Sequence, residues 1–169
     1  MSRTKNKTYV VFDLETVCTC ADDKELLEIG AVKLENGVVT EKFQQLINPG
    51  YSIPEIIRGL TGITDEMVAD KPNSREALKE FKKFCGVSVM VGHDVAYDMK
   101  YLNTVAKKYR MKFENPTRDT LKMSQERFPE ETKHNLKILC ERLGVEHDHP
   151  HRALGDAEAT AECFLKMTN

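Results

Sequence analysis

The chain is expected to fold as an α/β domain built on a mixed sheet with helices on both faces. Three observations carry that expectation. Runs rich in β-forming residues come first, at 8–14, 26–34 and 38–47, and Asn36-Gly37 between the last two is a strong hairpin signal. Strand and helix patterns then alternate along the rest of the chain, which is how helices come to cover a sheet. No Pro-, Gly- or Ser-rich linker interrupts the 169 residues, so residues 1–169 are read as a single domain.

Residues 1–7 are a polar lead-in. The first strand, 8–14, holds Tyr9-Val10-Val11-Phe12, an apolar run of the kind buried mid-sheet. A polar loop is expected over 17–25. The strand at 26–34 turns back through Asn36-Gly37 into an antiparallel strand that Asn48-Pro49-Gly50 ends. Residues 51–73, bounded by Pro54 and Pro72, are expected to be irregular with short helical turns. A helix opening at Ser74 follows, with Leu78, Phe81, Phe84 and Cys85 on its apolar face. The pattern at 87–91 is a strand, and Gly92-His93-Asp94 leads into a helix over 95–108. Helices are expected at 119–127 and 135–143, separated by Pro129, and a last one at 153–167.

Composition narrows the function classes only a little. Hydrophobic residues are 40% and charged residues 31%, as in ordinary globular proteins. The formal charge of −2, from 25 Lys+Arg against 27 Asp+Glu, gives no global electrostatic case for nucleic acid. It does not exclude one, because carboxylates that hold divalent cations are not net negative in use. The five cysteines (Cys18, Cys20, Cys85, Cys140, Cys163) are odd in number and follow no secretory signal, so reduced thiols are expected. No apolar segment is long enough to enter a membrane, and a cytoplasmic location is the default expectation.

The chemistry concentrates on a few acids. Alternate residues of a strand share a face, so Asp13 and Glu15 project together at the end of the first strand. Two adjacent carboxylates repel unless a cation lies between them, and hard oxygen donors suit Mg²⁺ or Mn²⁺. Taken alone, the pair is better read as two solvated residues at a strand end. Asp98 strengthens the first reading, because it shares a helix face with Leu102 and Val105. Asp156 does the same with Ala153, Thr160 and Cys163, while Glu158 and Glu162 can face water. Asp94, one turn before Asp98, is a helix cap or a loop residue. His151 stands close enough to Asp156 to reach the same centre and can exchange a proton near neutral pH. The neighbouring His147 and His149 do not match a known zinc-ligand spacing and are read as loop residues. Lys100, Lys107, Lys108, Arg110 and Lys112 are a phosphate-steering patch or a solvated helix face.

Three segments together resemble the motifs of the DEDDh, or DnaQ-like, 3′→5′ exonuclease family. They are Phe12-Asp13-Leu14-Glu15-Thr16, Gly92-His93-Asp94-Val95-Ala96-Tyr97-Asp98 and His151-Arg152-Ala153-Leu154-Gly155-Asp156. The segments 26–32, 60–66, 119–121 and 134–139 also have counterparts there, so the resemblance runs in order through nearly the whole chain. It implies a ribonuclease H-like α/β fold with a five-stranded mixed sheet. It further implies that Asp13, Glu15, Asp98 and Asp156 bind two Mg²⁺ or Mn²⁺ ions, and that His151 is the general base. Leu14, Thr16 and the Thr61-Gly62-Ile63 loop would contact the terminal nucleotide. The implied activity removes 5′-mononucleotides from a free 3′ end, with single-stranded DNA favoured over RNA, in proofreading or repair and with a DNA polymerase as possible partner. An RNA-trimming exoribonuclease and a non-catalytic polymerase adaptor are the alternatives. Asp94 and Tyr97 depart from the commoner Asn and Phe.

Overall fold

The computed structural model describes residues 8–18 and 24–168. Five strands form one sheet: β1 (Thr8–Cys18), β2 (Lys24–Glu35), β3 (Val38–Leu46), β4 (Val89–Gly92) and β5 (Thr117–Asp119). Their order is β3-β2-β1-β4-β5. β1, β2 and β3 pair antiparallel, whereas β4 runs parallel to β1 and β5 parallel to β4. The sheet is therefore mixed, as expected. The helices are α1 (Glu55–Thr61), α2 (Asp65–Val68), α3 (Ser74–Cys85), α4 (Val95–Lys108), α5 (Thr120–Arg127), α6 (Leu136–Leu143) and α7 (Ala153–Thr168).

Alternation along β1 divides the core. Val10, Phe12 and Leu14 face α3 and α4, where they pack with Leu78, Phe81, Leu102 and Val105. Val11 faces the opposite way and packs with Val32, Val91, Ala161 and Phe164 beneath α7. Asp13 and Glu15 continue the Val11 face. They stand at the C-terminal edge of a strand with a parallel neighbour, where open α/β sheets commonly bind ligands.

Several boundaries differ from expectation. β1 extends four residues further, through a bulge between Glu15 and Thr16, and pairs Val17 with Glu25 and Cys18 with Lys24. The expected loop at 17–25 is thus paired strand at both its ends. Its residues 19–23, like the lead-in 1–7, lie outside the described residues. β5 carries no recognisable pattern, since three residues are too few to alternate. α3 begins at Ser74 as expected, whereas the expected starts at Asp119 and Asn135 move by one position, because each of those residues is the cap that precedes its helix. Asn73 caps α3, Asp119 caps α5 and Asn135 caps α6, each side-chain oxygen accepting a backbone N–H. Ser74 instead donates its hydroxyl to Glu25 at 2.5 Å. Cys85, Cys140 and Cys163 are free and buried, in accord with reduced thiols. Among the described residues, no helix is long and apolar enough to cross a membrane.

One glycine determines how α7 meets the sheet. Gly30 lies opposite Asp13 in the β1–β2 ladder. A Cβ on Gly30 would sit 2.1 Å from backbone atoms of Ala153 and Leu154. Its absence lets the first turn of α7 rest on the strand, which brings Asp156 over Asp13.

Candidate active site

Asp13 and Glu15 of β1 and Asp156 of α7 each offer a carboxylate oxygen, and those oxygens lie within 4.8 Å of one another. Asp98, on the first turn of α4, is buried beside them but stands outside this tight group. Its helix packs on the face of β1 opposite α7, and its charge is felt at Asp13. The structure thus brings together all four predicted acids, three as a cluster and one as its neighbour.

The electrostatics are those of crowded, dehydrated acids. Burial first, then repulsion from Asp98, Asp156, Glu15 and Glu28, pushes the Asp13 carboxyl well above its ordinary range. Burial followed by Asp156 and Glu28 raises Glu15 to about 8, against a smaller pull downward from Arg152. Burial, with Asp94 and Asp119, raises Asp98 to about 7. Oxygen donors that hold protons this tightly for want of a counter-charge fit a divalent cation, which would replace the protons and satisfy the lone pairs.

A second, unforeseen acid sets the position of α7. Glu28 is fully buried and pairs across the ladder with Glu15. Its carboxylate accepts from Arg152 Nε at 3.0 Å and Nη2 at 2.9 Å, from Gln44 at 2.8 Å and from the Ala153 backbone N–H at 3.0 Å. Burial alone would raise its pKa, but these bonds prevail and hold it below the usual range. The clamp fixes the residues between His151 and the first turn of α7. A charged residue inside the apolar run of 26–32 was the signal that could have revealed it.

The loop before α7 departs from expectation. His151 has a left-handed backbone, φ 62°, and an exposed side chain. Its backbone N–H, rather than its imidazole, meets Asp156, donating to Oδ2 at 3.1 Å. Among the described residues its ring makes no hydrogen bond. His147 is a loop residue, as expected, and its Nε2 contacts Asp156 Oδ1 directly, because the 144–152 loop folds back over α7. A cleft of about 610 Å³ opens beside these groups, with His147, His151 and Asp156 on one wall and Leu136, Lys137 and Cys140 of α6 on the other.

The expected nucleotide contacts divide in two. Leu14 and Thr16 flank the carboxylates on β1. Thr61 and Ile63, however, are turned inward. The Thr61 hydroxyl donates to the Ile57 carbonyl at 2.8 Å and accepts the Ile63 N–H at 3.1 Å, closing the end of α1. Ile63 is fully buried with Leu27, Ile53 and Val68. What this loop presents outward is the Gly62 backbone, at φ 70°, and the half-exposed Leu60 side chain. Asp94 occupies the position before α4 with φ 64° and makes no side-chain cap. Asn and Asp are the non-glycine residues that best tolerate that conformation, so the exchange of one for the other keeps the turn. The basic residues Lys100, Lys107, Lys108, Arg110 and Lys112 are all exposed. Lys108 bonds Glu25 and Lys112 bonds Glu114, and Lys107 and Lys108 lie at the end of α4 away from Asp98, roughly 14 Å along the axis.

Comparison with known proteins agrees with this geometry. The family model for exonucleases matches residues 10–164. DNA polymerase III subunit epsilon of Aquifex aeolicus is 45% identical over 161 residues, covering 95% of this chain and 80% of that protein. The PolC-type DNA polymerase III of Bacillus subtilis is 38% identical over 165 residues, but the chain spans only 12% of its length. Among solved structures, the nuclease domain of 3′hExo, described as a DEDDh family member and bound to rAMP, superposes with a TM-score of 0.84 at 21% identity, covering 99% of this chain and 94% of that one. Exonuclease I superposes with a TM-score of 0.84 at 19% identity, covering 96% of this chain and 41% of that one, so the ribonuclease H-like fold is shared. Motifs, sheet order and family match converge, and the chain belongs to the exonuclease family, among its DEDDh (DnaQ-like) members.

Proposed function

We propose that residues 1–169 act as one exonuclease domain that removes 5′-mononucleotides from the 3′ end of single-stranded DNA, in proofreading or repair beside a DNA polymerase. The observation that carries this reading is the convergence of Asp13, Glu15 and Asp156 within 4.8 Å, with Asp98 adjoining, in a chain 45% identical to a polymerase subunit. The four carboxylates are the groups that would hold two Mg²⁺ or Mn²⁺ ions. Such ions supply a lowered pKa for the attacking water and charge stabilisation for the leaving 3′-oxygen. Leu14, Thr16, Leu60 and the Gly62 backbone border the place where the terminal nucleotide would lie. His151, exposed on its loop, takes the proton of the water once its ring turns toward Asp156; neutral imidazole is suited to that task near physiological pH. Glu28 and Arg152 hold the loop's C-terminal anchor while the ring moves.

The test is digestion of 5′-labelled single-stranded DNA and RNA of one sequence, with Mg²⁺ or with EDTA, beside a circular single-stranded DNA. Stepwise shortening of the linear DNA from its 3′ end, dependent on metal and faster than that of RNA, is expected, with the circle untouched. Shortening in EDTA, or cutting of the circle, would overturn the reading. RNA shortened faster than DNA would make the chain an exoribonuclease instead.

A further inference from the structure

His147 belongs to no motif, yet its side chain is in direct contact with Asp156. The geometry points to His147 as a positioning residue: its imidazole holds Asp156 Oδ1 so that the carboxylate presents its remaining lone pairs to Asp13 and Glu15. This rests on the reading of those acids as a metal site.

Three features support it. First, the 144–152 loop grips both oxygens of Asp156, with His147 Nε2 on Oδ1 and the His151 N–H on Oδ2 at 3.1 Å. An ionised carboxylate offers about four lone-pair positions, so two stay free for a cation. Second, the side chains of His147 and Asp156 are only 11% and 12% exposed, so water competes little for the contact. Third, no ring nitrogen of His147 joins the group of donor atoms that lie within 4.8 Å of one another, so His147 touches Asp156 from outside the three-acid cluster. A ring nitrogen bonded to a ligating carboxylate fixes the ligand's orientation, and removing such a partner commonly costs 10–100-fold in metal affinity or activity. The contact also ties the loop that carries His151 to the acid that would bind metal. His149 lies on the same loop with an exposed side chain that makes no hydrogen bond among the described residues, and serves as the control.

Mn²⁺ binding to the whole chain, measured by calorimetry, tests this separately from turnover. His147→Leu, which keeps bulk but loses the nitrogen, should bind Mn²⁺ 10–100-fold more weakly. His147→Gln, whose amide can reach Oδ1, should recover most of that loss. KM for single-stranded DNA should stay near wild type while kcat falls, and His149→Ala should change neither. Wild-type affinity in His147→Leu would overturn the proposal. A His147→Gln as weak as His147→Leu would overturn it too, by making the ring a ligand itself. If His147→Leu fails to fold, the wild-type protein decides: nitrogen-edited spectra should show a hydrogen-bonded Nε2 proton on His147 that survives Mg²⁺ addition, and its loss would refute positioning. Asp13→Asn should abolish Mn²⁺ binding; unchanged binding there would overturn the metal-site reading and the proposal with it, whereas loss there with an unaffected His147→Leu would overturn the proposal alone.

Discussion

Glu15→Gln should make the metal-free protein more stable and remove its response to metal. The Glu15 carboxyl is raised from 4.5 to about 8, chiefly by burial and then by Asp156 and Glu28. Below pH 4.5 the folded and unfolded chains both carry the proton, and Glu15 imposes no penalty. Between there and about pH 8 the folded chain keeps a proton that the unfolded chain has released, so stability falls as pH rises. Above about pH 8 the full cost of the charge remains. At roughly 1.4 kcal/mol per pH unit, the cost at pH 8 has an upper limit of about 4 kcal/mol. Glu15 is only partly buried and its neighbours can relax, so about half of that, near 2 kcal/mol, is the working figure. For a chain of this size each 1 kcal/mol moves Tm by roughly 2–4 °C, so the variant should melt about 4–8 °C higher in EDTA at pH 8. At pH 5 the difference should nearly vanish.

Metal should reverse the order. A cation at 100 times its Kd stabilises the wild-type fold by about 2.7 kcal/mol, and the variant has lost a donor. The assay is thermal melting followed by circular dichroism at pH 5 and pH 8, in EDTA and in Mg²⁺. A variant that melts lower than wild type in EDTA at pH 8, or that gains as much from Mg²⁺, would refute the account of Glu15 as a strained ligand.

Two further outcomes are expected. His151→Ala should slow nucleotide release by about 10²–10⁴-fold while leaving Mn²⁺ binding in calorimetry intact, because a general base acts on the water and not on the metal; an inactive variant that no longer binds Mn²⁺ would make His151 a ligand. Glu28→Ala strands Arg152 and the Ala153 N–H and should lose roughly 3–5 kcal/mol in urea unfolding, whereas an unchanged midpoint and slope would show that the clamp does not hold α7.

What could be read from the sequence was periodic. Alternation placed Asp13 and Glu15 on one face of β1, and helical spacing exposed Asp98 and Asp156 as acids on apolar stripes; burial of both bears out the inference. What stayed hidden depends on contacts without a period. Arg152 meets Glu28 across 124 residues of chain, and nothing local to either announces the other. The His147 contact depends on a loop whose course includes a positive φ at His151, a conformation that residue type does not foretell. The resemblance marks Thr61 and Ile63 for nucleotide contact, yet spacing cannot say whether a loop side chain faces inward. Here Ile63 fills a gap among Leu27, Ile53 and Val68 that only the folded α1 and α2 create.

The Glu28 clamp also bears on why the site calls for a cation. Arg152 is the positive charge that lowers the Glu15 pKa, yet its guanidinium is engaged by Glu28 on two nitrogens. Had the same arginine reached Asp13 or Glu15, it would have neutralised a carboxylate and left a salt bridge where a metal could bind. Instead the fold spends its cation on aligning α7, and Gly30 lets that helix come close enough to add Asp156 to the cluster. Positioning and charge are thereby separated: Glu28 is paired and structural, whereas Asp13, Glu15 and Asp98 are raised by burial. On this argument a Glu28→Gln change should weaken the hold on Arg152 and free it to swing toward Glu15. It should lower the Glu15 pKa, followed by carboxylate NMR of the metal-free protein, and weaken Mn²⁺ binding even where the fold is kept. An unmoved Glu15 titration in a folded Glu28→Gln protein would separate the clamp from the electrostatics of the site.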